Sequence, residues 1–174
     1  MLVNDLVKDI TPSEFEGLKV TFVNMPLRES ALPNTPPEGP LILAAILRKF
    51  GAETHLIDLN AYRIRDDAAS RRGLPNGRHL NYSEAERLFL KHLSNVGDQD
   101  IVAFSGKITT LRWQEDMAKI VRKHQPDTFL VSGNGLATEI KMGLFNWIPE
   151  LDGIARSEGD DAILIIARDA KLIK

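Results

Sequence analysis

The stretch from Asp100 to Gly135, DIVAFSGKITTLRWQEDMAKIVRKHQPDTFLVSGNG, leaves this chain few folds to adopt. Ile101 to Phe104 is a short apolar run bounded by polar residues and glycine, which predicts a buried strand. Ser105-Gly106-Lys107 then turns the chain. Trp113, Met117, Ile120, Val121 and His124 recur at spacings of three and four, so they share one face of a helix. Gln125-Pro126-Asp127 stops that helix. Thr128 to Val131 predicts a second buried strand, and Ser132-Gly133-Asn134-Gly135 a second loop of small residues. Two parallel strands joined by a helical crossover make a βαβ unit, whose ligand edge is the carboxyl end of its strands.

The 174 residues suit one domain, with residues 1–17 as a lead-in and 18–174 as the folded unit. The chain is 43% hydrophobic and 26% charged, as expected for a globular protein. A net charge of -2 gives no electrostatic reason to expect nucleic acid or an anionic membrane as partner. No apolar run reaches the roughly 18 residues needed to cross a bilayer. The N-terminus, MLVNDLVKDITPSEF, carries acids where a secretory signal has basic and then apolar residues, so the cytoplasm is the expected compartment. Cysteine is absent, which excludes disulfides, thiolate zinc sites and any iron–sulfur cluster held by this chain alone.

Along the rest of the chain, strands and helices alternate. Thr11-Pro12-Ser13-Glu14 fits a helix start, although Gly17 leaves room for only a short turn. Leu18 to Asn24 predicts the first strand. The long loop from Met25 to Pro40 carries Pro26, Pro33, Pro36, Pro37 and Pro40, and its stiffness and position suit one wall of a ligand site. Pro40 opens a helix through Phe50, apolar on nearly every face and expected to be well buried, with Gly51 as its stop. Glu53 to Leu59 predicts the second strand, and Asn60 to Tyr82 a solvated, locally basic connection. Ser83 and Glu86 fit a capping box opening a helix with Ala85, Leu88, Phe89, His92, Leu93 and Val96 on one face. After Gly135 come a short helix over Ala137 to Phe145, a strand over Leu151 to Ala155, and an apolar helix from Ala162 toward Lys174. That last helix has no convincing stop, so either the native polypeptide is expected to continue or this helix docks at a domain boundary. The alternation predicts an α/β fold: a flavodoxin-like, doubly wound, five-stranded parallel sheet of strand order 2-1-3-4-5.

On that fold the loops starting at Met25, Ser105, Gly133 and Arg156 meet at one rim. No G-x-G-x-x-G follows the first strand and no Walker loop is present. His55, His79, His92 and His124 lack metal-ligand spacing, and Ser105 has no histidine partner for a hydrolytic triad. The rim offers hydroxyls, backbone amides and glycines, which let a large planar ligand approach the backbone. Such a cradle holds a cofactor without donating strong ligands or proton-transfer catalysts.

These residues resemble the N-terminal cobalamin-binding domain of cobalamin-dependent radical-SAM enzymes. The likeness runs from Lys19 to Gly159: Val23-Asn24-Met25-Pro26 after the first strand, Pro36-Pro37-Glu38-Gly39 before the first helix and Gly51-Ala52-Glu53-Thr54 entering the second strand. It continues with Ser105 and Thr109-Thr110, Ser132-Gly133-Asn134-Gly135-Leu136-Ala137-Thr138, and Arg156-Ser157-Glu158-Gly159. The resemblance implies a vitamin B12 module bound base-off without a histidine lower ligand, its nucleotide tail along the sheet and its corrin across the rim. The cofactor neighbours it implies are Asn24, Pro26, Ser105, Gly106, Thr109, Thr110, Gly133, Asn134, Gly135, Glu158 and Gly159. S-adenosylmethionine and a 4Fe-4S cluster would belong to a radical-SAM domain, of a methyltransferase or related enzyme, elsewhere in the same or another chain. The alternatives are a flavin or nucleotide on the same rim, or a ligand-free interaction domain whose partner docks on the helix near Ile163 to Ile166.

Overall fold

The computed structural model describes residues 7–26, 36–156 and 158–173. Pro33 and most of the proline loop, the first six residues of the lead-in, and Ser157 lie outside them. Five parallel strands form one sheet in the order β2-β1-β3-β4-β5, the flavodoxin-like arrangement. They are β1 (Lys19–Asn24), β2 (Glu53–Asp58), β3 (Ile101–Ser105), β4 (Phe129–Gly133) and β5 (Gly153–Ile154). The helices are α1 (Glu38–Lys49), α2 (Asp67–Arg71), α3 (Tyr82–Val96), α4 (Leu111–His124), α5 (Asn134–Ile140), α6 (Leu144–Trp147) and α7 (Asp160–Ile173). Among the described residues, no helix is long and apolar enough to cross a membrane.

Alternation along the strands builds two cores, one on each face of the sheet. Val23, Ile57, Val102, Phe104 and Leu130 pack with Ala85, Phe89 and Leu93 of α3 and Met117, Ala118 and Val121 of α4. Val20, Phe22, Ile101, Ala103 and Val131 pack with Ala44 and Leu47 of α1 and Ile163, Leu164, Ala167 and Ala170 of α7. Phe15 closes the second core, fully buried, its N–H donating to Phe50 O at 2.9 Å. Residues 12–17 are turns rather than helix, ended by Gly17 at φ +80°.

Several boundaries differ from expectation, each for a local reason. The first helix begins at Glu38, so Pro40 sits in its first turn, where an N–H has no intrahelical partner. It is less buried than its composition suggests: Leu41 and Ile42 are 40% and 52% exposed, because only one face of α1 meets the sheet and α7. Asn81, not Ser83, caps α3; its Oδ1 accepts from Glu84 N at 2.9 Å while Glu84 Oε2 accepts from Asn81 N at 2.8 Å. His124 is exposed, and Gln114 is buried in the face of α4 instead. The small-residue loop after the fourth strand is absorbed, since β4 runs through Gly133 and α5 starts at Asn134. Lys141 at φ +56° breaks the following helix into α5, a 3-10 turn and α6. The connection between β2 and α3 contains α2 and a bridge between Ile64 and Arg78.

Candidate ligand-binding site

Strand register sets the rim. Asp58 pairs with Asn24, Asn24 with Ser105, and Ser105 with Gly133, so four polar or small residues end four adjacent strands in one row. The row is stitched together: Leu59 N–H donates to Asn24 O at 3.0 Å and Met25 N–H to Ser105 O at 3.1 Å. Asn24 Nδ2 donates to Asp58 Oδ1 at 2.8 Å, and Asn134 Nδ2 to Ser105 Oγ at 3.2 Å. Asn134 adopts φ +68°, a conformation asparagine tolerates better than most residues, and its Oδ1 accepts from Gly135 N–H at 2.7 Å.

A cavity of about 390 Å³ opens at this row, between the sheet and helices α1 and α7. Its apolar lining comes from Phe22, Ala103 and Val131 of the sheet, Ile42 and Leu43 of α1, and Ile163 and Ile166 of α7. Ser105, Gly133, Asn134, Glu158 and Asp160 contribute polar groups or open backbone. No lysine, arginine or histidine is among the described lining residues. Gly159 matters for its closeness: a Cβ there would come within 3.1 Å of Leu43 Cδ2, so glycine lets the start of α7 approach α1.

The structure brings five of the sequence-predicted residues to this cavity: Ser105, Gly133, Asn134, Glu158 and Gly159. Asn24 ends its strand in the same row with its amide turned to Asp58. Pro26 is buried, and Thr109 is exposed beyond β3. Gly135 sits in the first turn of α5. Gly106 and Thr110 lie beneath the rim. Thr110 is 1% exposed; its Oγ1 donates to Lys107 O at 2.8 Å and accepts from Lys107 N at 3.1 Å. A Cβ on Gly106 would meet Thr110 Oγ1 at 2.2 Å and Gln114 Nε2 at 2.5 Å. These two residues therefore support the loop from below.

Sequence reasoning missed the walls supplied by α1 and α7. The interaction-domain alternative needs an exposed docking face near Ile163 to Ile166; Ile163 is only 3% exposed because α7 packs on the second face of the sheet. The available signal was the apolar stripe of α7 together with Ala103, a small residue opposite it that leaves room. Gln114 was also missed: it is fully buried and accepts from Ser132 Oγ at 2.7 Å, fastening α4 to β4.

Fold and rim together define a flavodoxin-like α/β domain with an open, mostly apolar cavity at the carboxyl ends of its strands. Solved structures of the cobalamin-dependent S-adenosylmethionine radical enzyme OxsB share that fold. The form with aqua-cobalamin and S-adenosylmethionine bound, and the form with aqua-cobalamin alone, each align with a TM-score of 0.66 at 18% identity. The apo, selenomethionine-labelled form aligns at 0.59 and 16% identity. Each alignment covers 90% of this chain and 19% of the enzyme, so the chain spans about a fifth of its length. No protein-family profile matches the sequence, and no curated protein does.

Proposed function

We propose that this chain is a cobalamin-binding module serving a radical-SAM methyltransferase or a related enzyme in the cytoplasm. The observation that carries the proposal is the cavity beneath Ser105 and Gly133, apolar in its depth and bordered by small residues. Its dimensions fall in the range of small-molecule sites, roughly 300–1,000 Å³. The fit is chemical as well as spatial. Glu158 and Asp160 with no described cation give poor support to the phosphate monoester of a free flavin or nucleotide cofactor. They tolerate a neutral aromatic base inserted between sheet and helices. Cobalamin carries such a base, which is why a base-off mode is preferred, with the base in the cavity and the corrin over the rim.

Ser105, Gly133, Asn134, Glu158 and Gly159 are the proposed direct contacts, with Asn24, Pro26, Thr109 and Gly135 nearby and Gly106 and Thr110 supporting the loop from beneath. None of the four histidines lines the cavity, so the proposed complex has no histidine lower ligand. When bound, cobalamin supplies the group-transfer chemistry of cobalt. The chain's part is to bind, orient and keep water from the buried base. S-adenosylmethionine and a 4Fe-4S cluster are assigned to a separate radical-SAM domain, because this chain has no cysteine.

Titration of the purified chain with hydroxocobalamin tests the proposal. A saturable complex with a base-off absorption spectrum is expected. The free-cofactor spectrum persisting at high protein concentration refutes it, and tight binding of a flavin in place of the corrinoid transfers the site to the alternative cofactor.

A further inference from the structure

Asparagine is followed directly by glycine twice in this chain, at Asn76-Gly77 and at Asn134-Gly135. Such a pair is chemically fragile. With no side chain on the second residue, its backbone nitrogen can reach the carboxamide carbon of the asparagine before it. As sequence the two pairs are equivalent, and both asparagines are exposed. The fold separates them by what it does with the attacking nitrogen.

At Asn76 the nitrogen is occupied. Gly77 is buried, and its N–H donates to Leu74 O at 3.0 Å in a turn completed at φ +80°. A Cβ on Gly77 would fall 2.6 Å from Ile64 O, so this turn has little slack. At Asn134 the nitrogen already faces its target. Gly135 lies in the first turn of α5, where an N–H has no carbonyl of its own helix to bond. It donates instead to Asn134 Oδ1 at 2.7 Å. One C=O bond separates that oxygen from the carboxamide carbon, which therefore lies within about 4 Å of the Gly135 nitrogen. Asn134 Nδ2 donates to Ser105 Oγ at 3.2 Å, so the carboxamide is held at both ends.

We propose that Asn134 is a site of spontaneous covalent modification, a succinimide-forming asparagine set in the wall of the rim cavity. The Gly135 nitrogen bonds to Asn134 Cγ and gives up its proton to water. The Cγ–Nδ2 bond breaks, and that nitrogen leaves as ammonia with a proton from solvent. Water then opens the five-membered imide. Cleavage at Cγ leaves aspartate; cleavage at the backbone carbonyl leaves isoaspartate, with one more methylene in the main chain. One water is consumed, one ammonia is released, and nothing is oxidised or reduced. Either product adds a carboxylate to a lining that holds Glu158 and Asp160 and no described lysine, arginine or histidine. Either product also removes the amide that donates to Ser105. The modified rim therefore disfavours anionic ligands and loses a link between β3 and α5. The modification holds whatever ligand the rim takes.

The test is to age the purified chain at mildly alkaline pH, folded and in urea, and to follow both asparagines by peptide mapping in a mass spectrometer. A protein isoaspartate methyltransferase reports the β-linked product. The urea sample gives the rate of each site without the fold. In the folded chain Asn134 should convert at least about fivefold faster than Asn76, whose nucleophile must first leave its turn hydrogen bond. Gly135→Ala has room, since the nearest atom to the added Cβ is Glu139 Oε1 at 3.8 Å. That variant should keep a cooperative melting transition and slow the conversion of Asn134 about tenfold, by crowding the attacking nitrogen. Asn76 converting as fast as Asn134 in the folded chain, Asn134 staying intact while the unfolded chain converts, or Gly135→Ala ageing at the wild-type rate would each overturn the proposal.

Discussion

Gly106 follows β3 and Gly133 ends the neighbouring β4, yet the same substitution should act on them in opposite ways. A Cβ at Gly106 lands 2.2 Å from Thr110 Oγ1, 2.5 Å from Gln114 Nε2 and 3.4 Å from Met25 Cγ. Neither polar neighbour has room to retreat: Thr110 is pinned to Lys107 and Gln114 is fully buried against Ser132. Overpacking of this kind costs about 1–3 kcal/mol, and each displaced hydrogen bond about 1 kcal/mol more. Gly106→Ala should therefore destabilise by about 2–5 kcal/mol, a large share of the roughly 5–15 kcal/mol that holds a domain together. At Gly133 the nearest atoms to an added Cβ are Ala155 Cβ at 3.7 Å and Phe104 O at 3.9 Å, and φ of -133° suits any residue. Lost chain entropy in the unfolded state and a poorer helix cap nearly cancel, so Gly133→Ala should change stability by less than about 1 kcal/mol. The new methyl enters the cavity wall, and Gly133→Val fills it further. If a corrinoid base occupies that space, Gly133→Val should weaken hydroxocobalamin by about 5- to 150-fold, the equivalent of 1–3 kcal/mol of overpacking. Urea unfolding followed by tryptophan fluorescence measures the first effect and spectroscopic titration the second. Wild-type stability in Gly106→Ala would refute the packing described beneath the loop. Wild-type affinity in a folded Gly133→Val would remove the cavity from the binding site.

Three further outcomes follow from particular contacts. Glu84 has its pKa held down to about 2 from 4.5, chiefly by hydrogen bonds from Arg78, so its contribution is full above pH 4.5 and lost as pH falls toward 2. Melting temperatures should thus separate wild type from Glu84→Gln by on the order of 1 kcal/mol near neutrality, with the gap closing in acid; a gap constant with pH would contradict the ion pair. Gln114→Leu strands the buried Ser132 hydroxyl and should cost about 1–3 kcal/mol, while adding Ser132→Ala should recover much of it in chemical denaturation. Asn81→Ala removes the side-chain half of the α3 capping box, leaving the backbone N–H to donate to Glu84, and should destabilise by about 1 kcal/mol, whereas Ser83→Ala should change little.

The parallel sheet was legible because its signals are local and repeated. Runs such as Ile101–Ser105 are too short for a helix, and alternation with helical stripes permits few topologies. Boundaries were less legible where two signals compete within a turn. Asn81 and Ser83 both suit a cap, and each has a glutamate three residues on, so the local pattern fits either start. The site was half legible for a similar reason. Residues that end strands, such as Ser105 and Gly133, fall on the rim by topology alone. Leu43 and Ile163 reach the cavity because α1 and α7 pack side by side, a contact between segments far apart in sequence that no local pattern encodes. Gln114 carries no core signal because polarity on a helix normally marks the solvent face; the Ser132 hydroxyl beneath it reverses that.

The two ends of the sheet also explain why the proposed ligand site lies at one of them. At the amino end the polar groups satisfy one another. Thr21 Oγ1 donates to Gln99 Oε1 at 2.8 Å, and Gln99 Nε2 donates to the carbonyls of Val96, Gly97 and Asp98. Thr128 Oγ1 donates to Gln99 O at 2.8 Å, and Asp100 accepts from Lys19 N at 2.6 Å. Gln99 is 3% exposed and tied on every side, so this end is sealed and its polarity stabilises the fold. At the carboxyl end the row of Asp58, Asn24, Ser105 and Gly133 opens, among the described residues, over an apolar cavity. Helices start from that row, so backbone groups and small side chains face outward there while the hydrophobic walls stand behind them. Polar cross-linking is concentrated where the chain enters its strands, and the proposed binding site lies where it leaves them. Substitutions in the Gln99 cluster should therefore lower stability without changing ligand preference, and those at Gly133 should do the reverse.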